Sequence, residues 1–169
     1  MVRRADNDRA DIDWNATVPS DCPEGAAGDL ATAALAAMEG GVAARPFYED
    51  DDLGVRQKAA GDPVTEADHA ANDAILRVLA ANAPGDLVRS EESPPSAGGD
   101  AEGQRLWIVD PLDGTKEFIA RNGEFAMMVG LAVGGRAELG AVLKPDPGRL
   151  YLGLAGGGAW VADVLWKGE

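Results

Sequence analysis

The residues best suited to chemistry lie in the stretch WIVDPLDGTKEF, residues 107–118. Asp110 ends an apolar run, and Asp113 follows the rigid Pro111 and the backbone carbonyl of Leu112. Two carboxylates with a carbonyl between them offer hard oxygen ligands, which suit Mg²⁺ or Mn²⁺ better than Zn²⁺. This spacing therefore predicts a divalent-cation site where a strand ends.

Gly114 and Thr115 follow Asp113 directly and are expected to begin a short helical turn. The first amides of a helix can bind a phosphate, and a glycine lets that phosphate approach the backbone closely. The hydroxyl of Thr115 could orient a water molecule. The stretch thus predicts a phosphatase-like centre.

Two further acidic clusters occur along the chain. Glu91 and Glu92 come after a short apolar run, and Asp68 lies three residues after Thr65 in DPVTEAD. Asp68 suits either a metal site or the cap of a helix, and the sequence leaves both readings open. Three acidic clusters in one chain match a site for more than one metal ion.

The elements that must position these residues can be predicted from periodicity. Apolar residues at helical spacing predict helices over about 26–45 and 66–82, and the runs LVRS and RLWIVD predict strands. A meander of four strands should follow, with turns at Gly134–Gly135, Asp146–Gly148 and Gly156–Gly158. We therefore expect an α+β fold with two helices packed on a largely antiparallel sheet.

Composition limits the class of protein. The chain has 169 residues, is 46% hydrophobic and carries 15 Lys+Arg against 29 Asp+Glu, a net charge of −14. A phosphate backbone or an anionic lipid surface would be repelled, so nucleic-acid and membrane partners are not expected. The acidic surplus leaves open a salt-adapted source or simple codon bias. Cys22 is the single cysteine, which fits a cytoplasmic protein without disulfides.

The motifs resemble those of the lithium-sensitive, Mg²⁺-dependent phosphatase superfamily that includes the inositol monophosphatases. The match rests on DPVTEAD (62–68), SEE (90–92) and DPLDGTKEF (110–118), with GGGAW at 156–160, and covers roughly residues 28–162. The form DPLDGTKEFI followed by RNGEF looks most like the 3′(2′),5′-bisphosphate nucleotidases. Inositol monophosphatases usually have Ile at the position of Leu112 and Asn at that of Glu117.

The resemblance implies roles for individual residues. Glu91, Asp110 and the Leu112 carbonyl would hold a first Mg²⁺, and Asp110 with Asp113 would hold a second. Asp68 would serve an additional metal ion.

The same resemblance implies the catalytic and substrate contacts. Glu91 and Thr115 would orient the attacking water, Asp113 would take part through the second cation, and the amides of Gly114 and Thr115 would cradle the phosphate. In two-metal sites of this kind the ions lie about 3.5–4 Å apart.

The function implied is hydrolysis of the 3′-phosphate of adenosine 3′,5′-bisphosphate or its sulfated form, a step of sulfur assimilation. Two alternatives stay open: an inositol-1-phosphatase, and a metal-binding domain without activity. Either enzyme would act on a small phosphorylated substrate.

The sequence departs from the family pattern in two places. Ala60 stands where relatives have a loop aspartate, and Asp62 is a poor substitute from two residues away. No Trp-Asp-x-Ala-Ala-Gly motif, which relatives carry in a second domain, occurs in the 169 residues. We therefore expect a flexible acidic tail (1–24) and an N-terminal metal-binding phosphatase domain (25–169) whose exposed apolar surface favours a homodimer.

Overall fold

The computed structural model describes residues 20, 22–49, 53–57, 63–94, 104–164 and 166. Three helices and eight strands occur in these ranges: α1 (Glu24–Tyr48), β1 (Arg56–Gln57), β2 (Pro63–Val64), α2 (Glu66–Asn82), β3 (Leu87–Ser90), β4 (Arg105–Asp113), α3 (Thr115–Ala120), β5 (Ala126–Val133), β6 (Arg136–Lys144), β7 (Arg149–Leu154) and β8 (Gly158–Asp163). The predicted tail and the loop containing Ala60 and Asp62 lie almost wholly outside the described residues.

Helix α1 is the central packing element and extends beyond the predicted range of 26–45. Its middle is alanine-rich and buried, which lets it lie close to both α2 and the sheet. Gly41 marks the tightest approach, because a Cβ there would collide with the side chain of Leu143 on β6. The helix therefore depends on small residues where it crosses the sheet.

Helix α2 matches the predicted range of 66–82. Thr65 and Asp68 form a capping box at its start, and Ile75 and Leu79 are buried against the core. The helix therefore begins at Glu66, and Asp68 in its first turn helps to cap it.

The main sheet has six strands in the order β3-β4-β5-β6-β7-β8. Strands β3 and β4 are parallel, and every other neighbouring pair is antiparallel. Helices α1 and α2 cover one face, where Trp107, Met127 and Leu143 are fully buried. The expected α+β architecture and the four-strand meander are confirmed, and the predicted helical turn after Gly114 is the six-residue α3.

The start of β4 is fastened to two other elements by a cluster of polar side chains. Arg105 donates hydrogen bonds to Asp29 of α1 (2.8 Å) and to Asp86 in the α2–β3 connection (2.9 Å), and Trp107 Nε1 donates to Asp86 (2.8 Å). The hydrogen bond to Asp29, followed by that to Asp86, raises the pKa of Arg105 above its ordinary value. This cluster fixes β4, the strand that ends in the acidic motif.

The opposite face of the sheet is open in the described part of the chain. Ile108, Tyr151 and Val161 are its large exposed apolar side chains. Among the helices described, none has both the length and the apolar character needed to cross a membrane.

Candidate active site

The parallel pairing of β3 and β4 brings two of the acidic motifs to one edge of the sheet. Ser90 at the end of β3 pairs with Val109, and the amide of Glu91 donates to the Val109 carbonyl at 3.1 Å. Parallel strands end at the same side of a sheet. Glu91 therefore lies beside Asp110, nineteen residues further along the chain.

A β-bulge in β4 changes the direction of the chain within the DPLD motif. Asp110 pairs with Met128 and Asp113 with Ala126, so three steps along β4 oppose two steps along β5. The additional residue interrupts the regular alternation, leaving Pro111 and Leu112 buried and Asp113 exposed. This bulge allows both aspartates to face the same cleft.

A cleft of about 310 Å³ collects nearly all the predicted site residues. Glu91 comes from the end of β3, Asp110, Leu112 and Asp113 come from β4, and Thr115 begins α3. The complete lining is Pro63, Glu91, Asp110, Leu112, Asp113, Gly114, Thr115, Lys116 and Glu117. Four carboxylates and one ammonium group give this cleft a strongly negative lining.

Gly114 connects the acidic strand to α3 in a conformation that favours glycine. Its φ is +87°, and a Cβ would lie 2.7 Å from the backbone carbonyl oxygen of Glu124. The carboxylate of Glu117 lies on the same side, because its Oε2 would be 3.4 Å from that Cβ. The residue is therefore required both for the left-handed turn and for the close approach of the 124–125 backbone.

Asp68 lies behind the cleft and is 1% exposed. Its Oδ2 accepts hydrogen bonds from the amide (2.8 Å) and hydroxyl (2.6 Å) of Thr65, and its Oδ1 accepts from the Thr115 hydroxyl (3.0 Å). The hydroxyl of Thr115 also lies 3.4 Å from the Leu112 carbonyl oxygen. A hydroxyl has one proton, so the shorter contact to Asp68 dominates.

The two basic residues that follow the acidic motif, Lys116 and Arg121, line different clefts. Lys116 lines the acidic cleft, whereas Arg121 lines a second cleft of about 760 Å³ and donates to the Tyr48 carbonyl at 2.8 Å. Glu92 and His69 do not line the acidic cleft, and both are half-buried.

The donor set fits a hard divalent cation, since the cleft presents carboxylate oxygens and the backbone of Leu112. Within the part of the chain that is described, however, no three Asp, Glu, His or Cys residues are close enough to form a ready metal-ligand cluster. The residues that would hold Mg²⁺ therefore stay a prediction.

Sequence reasoning missed a polar network beneath the Glu91 turn. The Ser90 hydroxyl donates to Asn72 Oδ1 (2.6 Å), and Asn72 Nδ2 donates to the Ser93 hydroxyl (3.2 Å). One signal was available, since Asn72 lies four residues after Asp68 and hence on the same face of α2.

Comparison with known proteins gives a consistent picture. A family model described as the inositol monophosphatase family matches residues 25–168. The 3′(2′),5′-bisphosphate nucleotidase CysQ of Escherichia coli K12 is 45% identical over 108 residues, which are 64% of this chain and 44% of that protein. The Nus factor SuhB of Pasteurella multocida is 34% identical over 130 residues, 77% of this chain and 48% of that protein.

A solved structure agrees with these matches. The crystal structure of CysQ from Bacteroides thetaiotaomicron superimposes with a TM-score of 0.64 at 34% identity, covering 83% of this chain and 52% of that one. The chain thus spans about half the length of the curated relatives it matches.

Proposed function

This chain belongs to the inositol monophosphatase family, and we propose from that premise that it forms the cation-binding part of a Mg²⁺-dependent phosphatase for small phosphorylated substrates. The observation that carries the proposal is the shared cleft of Glu91, Asp110 and Asp113 beside Gly114 and Thr115. Because the chain matches about half of each relative, hydrolysis by this chain is itself part of the proposal.

The proposed division of labour follows the lining of the cleft. Glu91, Asp110 and the Leu112 carbonyl hold one cation, and Asp110 with Asp113 holds a second. Bound Mg²⁺ supplies acidification of a water molecule and neutralisation of charge on the phosphate oxygens. The amides of Gly114 and Thr115 face the phosphate.

Electrostatics explains why cations are needed here. An acidic cleft in a chain of net charge −14 repels a phosphate monoester. Bound divalent cations reverse the local sign, so substrate binding and cation binding are expected to be coupled.

We assign Asp68 a positioning role and not the role of an additional metal ligand. Both of its oxygens already accept hydrogen bonds from Thr65 or Thr115. These contacts support a positioning role, in which Asp68 holds the Thr115 hydroxyl at the back of the cleft so that it can orient water together with Glu91.

Adenosine 3′,5′-bisphosphate is the substrate that the similarity to CysQ favours, with removal of its 3′-phosphate. An inositol monophosphate is the second candidate, because the matching family model covers that class as well. A cation-binding domain without hydrolysis is the third.

The deciding experiment measures phosphate release by the 169-residue chain from adenosine 3′,5′-bisphosphate and from inositol 1-phosphate across a Mg²⁺ titration. We expect release that requires Mg²⁺ and that falls at least about 100-fold in Asp113→Asn, which removes a charge facing the reaction. Asp73→Asn is the matched control, since Asp73 is an exposed carboxylate on α2 that does not line the cleft.

Three outcomes would change the conclusion. Release that does not depend on Mg²⁺, or that is equal in the two variants, would contradict the proposed site. Binding of Mg²⁺ without release would support the non-catalytic alternative. Preference for inositol 1-phosphate would replace the nucleotide as substrate.

A further inference from the structure

The turn that carries Glu91 is held from below by one buried amide. Asn72 is 5% exposed and Ser90 is 7% exposed. The two serines bonded to Asn72, Ser90 and Ser93, flank Glu91 and Glu92 on either side. Asn72 therefore clamps both ends of the acidic turn to α2.

Internal contacts make this turn sensitive to the clamp. The Glu92 amide donates to the Ser90 hydroxyl (3.4 Å), and the Ser93 amide donates to the Ser90 carbonyl (3.4 Å). Both are long, weak hydrogen bonds. The Ser90 hydroxyl thus accepts from the turn while it donates to Asn72 at 2.6 Å, its shortest contact.

Helix α2 connects this clamp to the other half of the cleft. Asp68 lies one helical turn before Asn72 and accepts the Thr115 hydroxyl, immediately after the DPLDG motif. Two buried polar side chains on one face of a rigid helix therefore contact the two acidic loops separately. Both loops are therefore anchored to one helix, in addition to the pairing of β3 with β4.

From this arrangement we infer that Asn72 is a positioning residue, which holds the Ser90–Ser93 turn so that the Glu91 carboxylate faces the cation site. The inference rests on the proposed function, because it gives Glu91 a cation to bind. Asn72 itself does not line the cleft. It acts through Ser90 and Ser93.

The test uses three variants of the full chain. Asn72→Ala removes both contacts, whereas Asn72→Asp keeps two acceptor oxygens to which both serine hydroxyls can donate. Asn82→Ala is the matched control, because Asn82 lies on the same helix and bonds the Val78 carbonyl (2.9 Å) away from the cleft.

The first measurement is amide hydrogen exchange in residues 88–94 without added metal. We expect exchange in this segment to accelerate about tenfold in Asn72→Ala, to return towards the parent rate in Asn72→Asp, and to be unchanged in Asn82→Ala. Equal exchange in the parent and Asn72→Ala would overturn the clamp.

The second measurement is Mn²⁺ affinity, followed by the electron paramagnetic resonance signal of the free ion. Loss of a group that orients a ligand typically weakens metal binding about 10- to 100-fold, and we expect that loss in Asn72→Ala but not in Asn82→Ala. Undiminished affinity in Asn72→Ala would refute the positioning role. Failure of the parent chain to bind Mn²⁺ would refute the proposed function, while the exchange result would still decide whether Asn72 holds the turn.

Discussion

At the scale of single residues, the cleft depends on a glycine that no other residue can replace without strain. Gly114 has a φ of +87°, and a methyl group added at its Cα would lie 2.7 Å from the carbonyl oxygen of Glu124. A side chain at this position would therefore meet backbone rather than a movable group. Both features belong to the turn that precedes Thr115.

Gly114→Ala should therefore lower the free energy of unfolding by more than the cost of placing an alanine in a left-handed conformation, because the added Cβ also meets the Glu124 backbone. Gly135→Ala is the control, because Gly135 has a φ of +76° and open space around its Cβ position. We expect about 1 kcal/mol at Gly135 and about 1–3 kcal/mol more at Gly114, measured by urea unfolding. Equal losses would show that the Glu124 backbone moves away freely.

Thr115 offers a second test at this scale, through its hydrogen bond to the buried Asp68. Thr115→Val removes the hydroxyl donor and should cost about 1–3 kcal/mol of unfolding free energy, because a buried carboxylate oxygen loses a partner. Thr115→Ser keeps the donor and should cost less. Chemical denaturation of the two variants checks this, and an equal loss in both would mean that the methyl group matters more than the hydroxyl.

At the scale of elements, two of the four glycines of α1 have opposite surroundings, so their substitutions should have opposite effects. A Cβ at Gly28 meets no atom within 4 Å, whereas one at Gly41 collides with Leu143. Gly28→Ala should stabilise by about 1 kcal/mol through helix propensity, and Gly41→Ala should destabilise by about 1–3 kcal/mol through overpacking. Thermal unfolding of both variants is the measurement. Stabilisation by Gly41→Ala would show that the contact between α1 and β6 is loose.

Much of the element order could be predicted, because the signals are local. The apolar stripe and capping residues predict α2 at 66–82, and alternating residues with glycine turns predict the meander. The antiparallel pairing of β1 with β2 was missed, since strands of two residues carry no periodicity. The predicted end of α1 at residue 45 is too early. A proline such as Pro46 usually marks the end of a helix, but here the helix continues to Tyr48.

Most residues that line the acidic cleft could be predicted from the sequence, whereas their arrangement in space could not. Glu91 follows β3, and Asp110 and Asp113 lie in the last four residues of β4, which continues past its predicted end at Asp110. Their presence at one edge follows once the two strands are neighbours. The clamp by Asn72 and the pairing of Arg105 with Asp29, 76 residues apart, join distant segments. Local spacing places Asn72 on the face of α2 that carries Asp68. It does not encode which distant residues are contacted, because that depends on the tertiary packing of α1 and α2.

At the scale of the whole molecule, the net charge of −14 should oppose compaction through self-repulsion. Added salt screens that repulsion, so the melting temperature should rise between about 0.1 and 1 M KCl, by about 2–4 °C for each kcal/mol gained. Calorimetry in a KCl series measures this, with sucrose as a control that favours burial without screening. A melting temperature independent of KCl would exclude charge repulsion as a main destabilising factor.

The open face of the sheet bears on whether the whole molecule associates with a second copy. Ile108, Tyr151 and Val161 expose apolar surface there, and large exposed apolar patches favour association. A homodimer remains a prediction, and sedimentation equilibrium over a range of protein concentrations would test it.

The direction of the strands has a practical consequence for attaching this protein to a surface. The acidic cleft lies where β3 and β4 end, whereas the turns at 134–135 and 155–157 lie at the opposite end of the same sheet. An affinity tag or fluorophore inserted at 134–135 would thus leave the cleft facing the solution. Such an immobilised chain would report cation binding in a flow cell without the attachment point interfering.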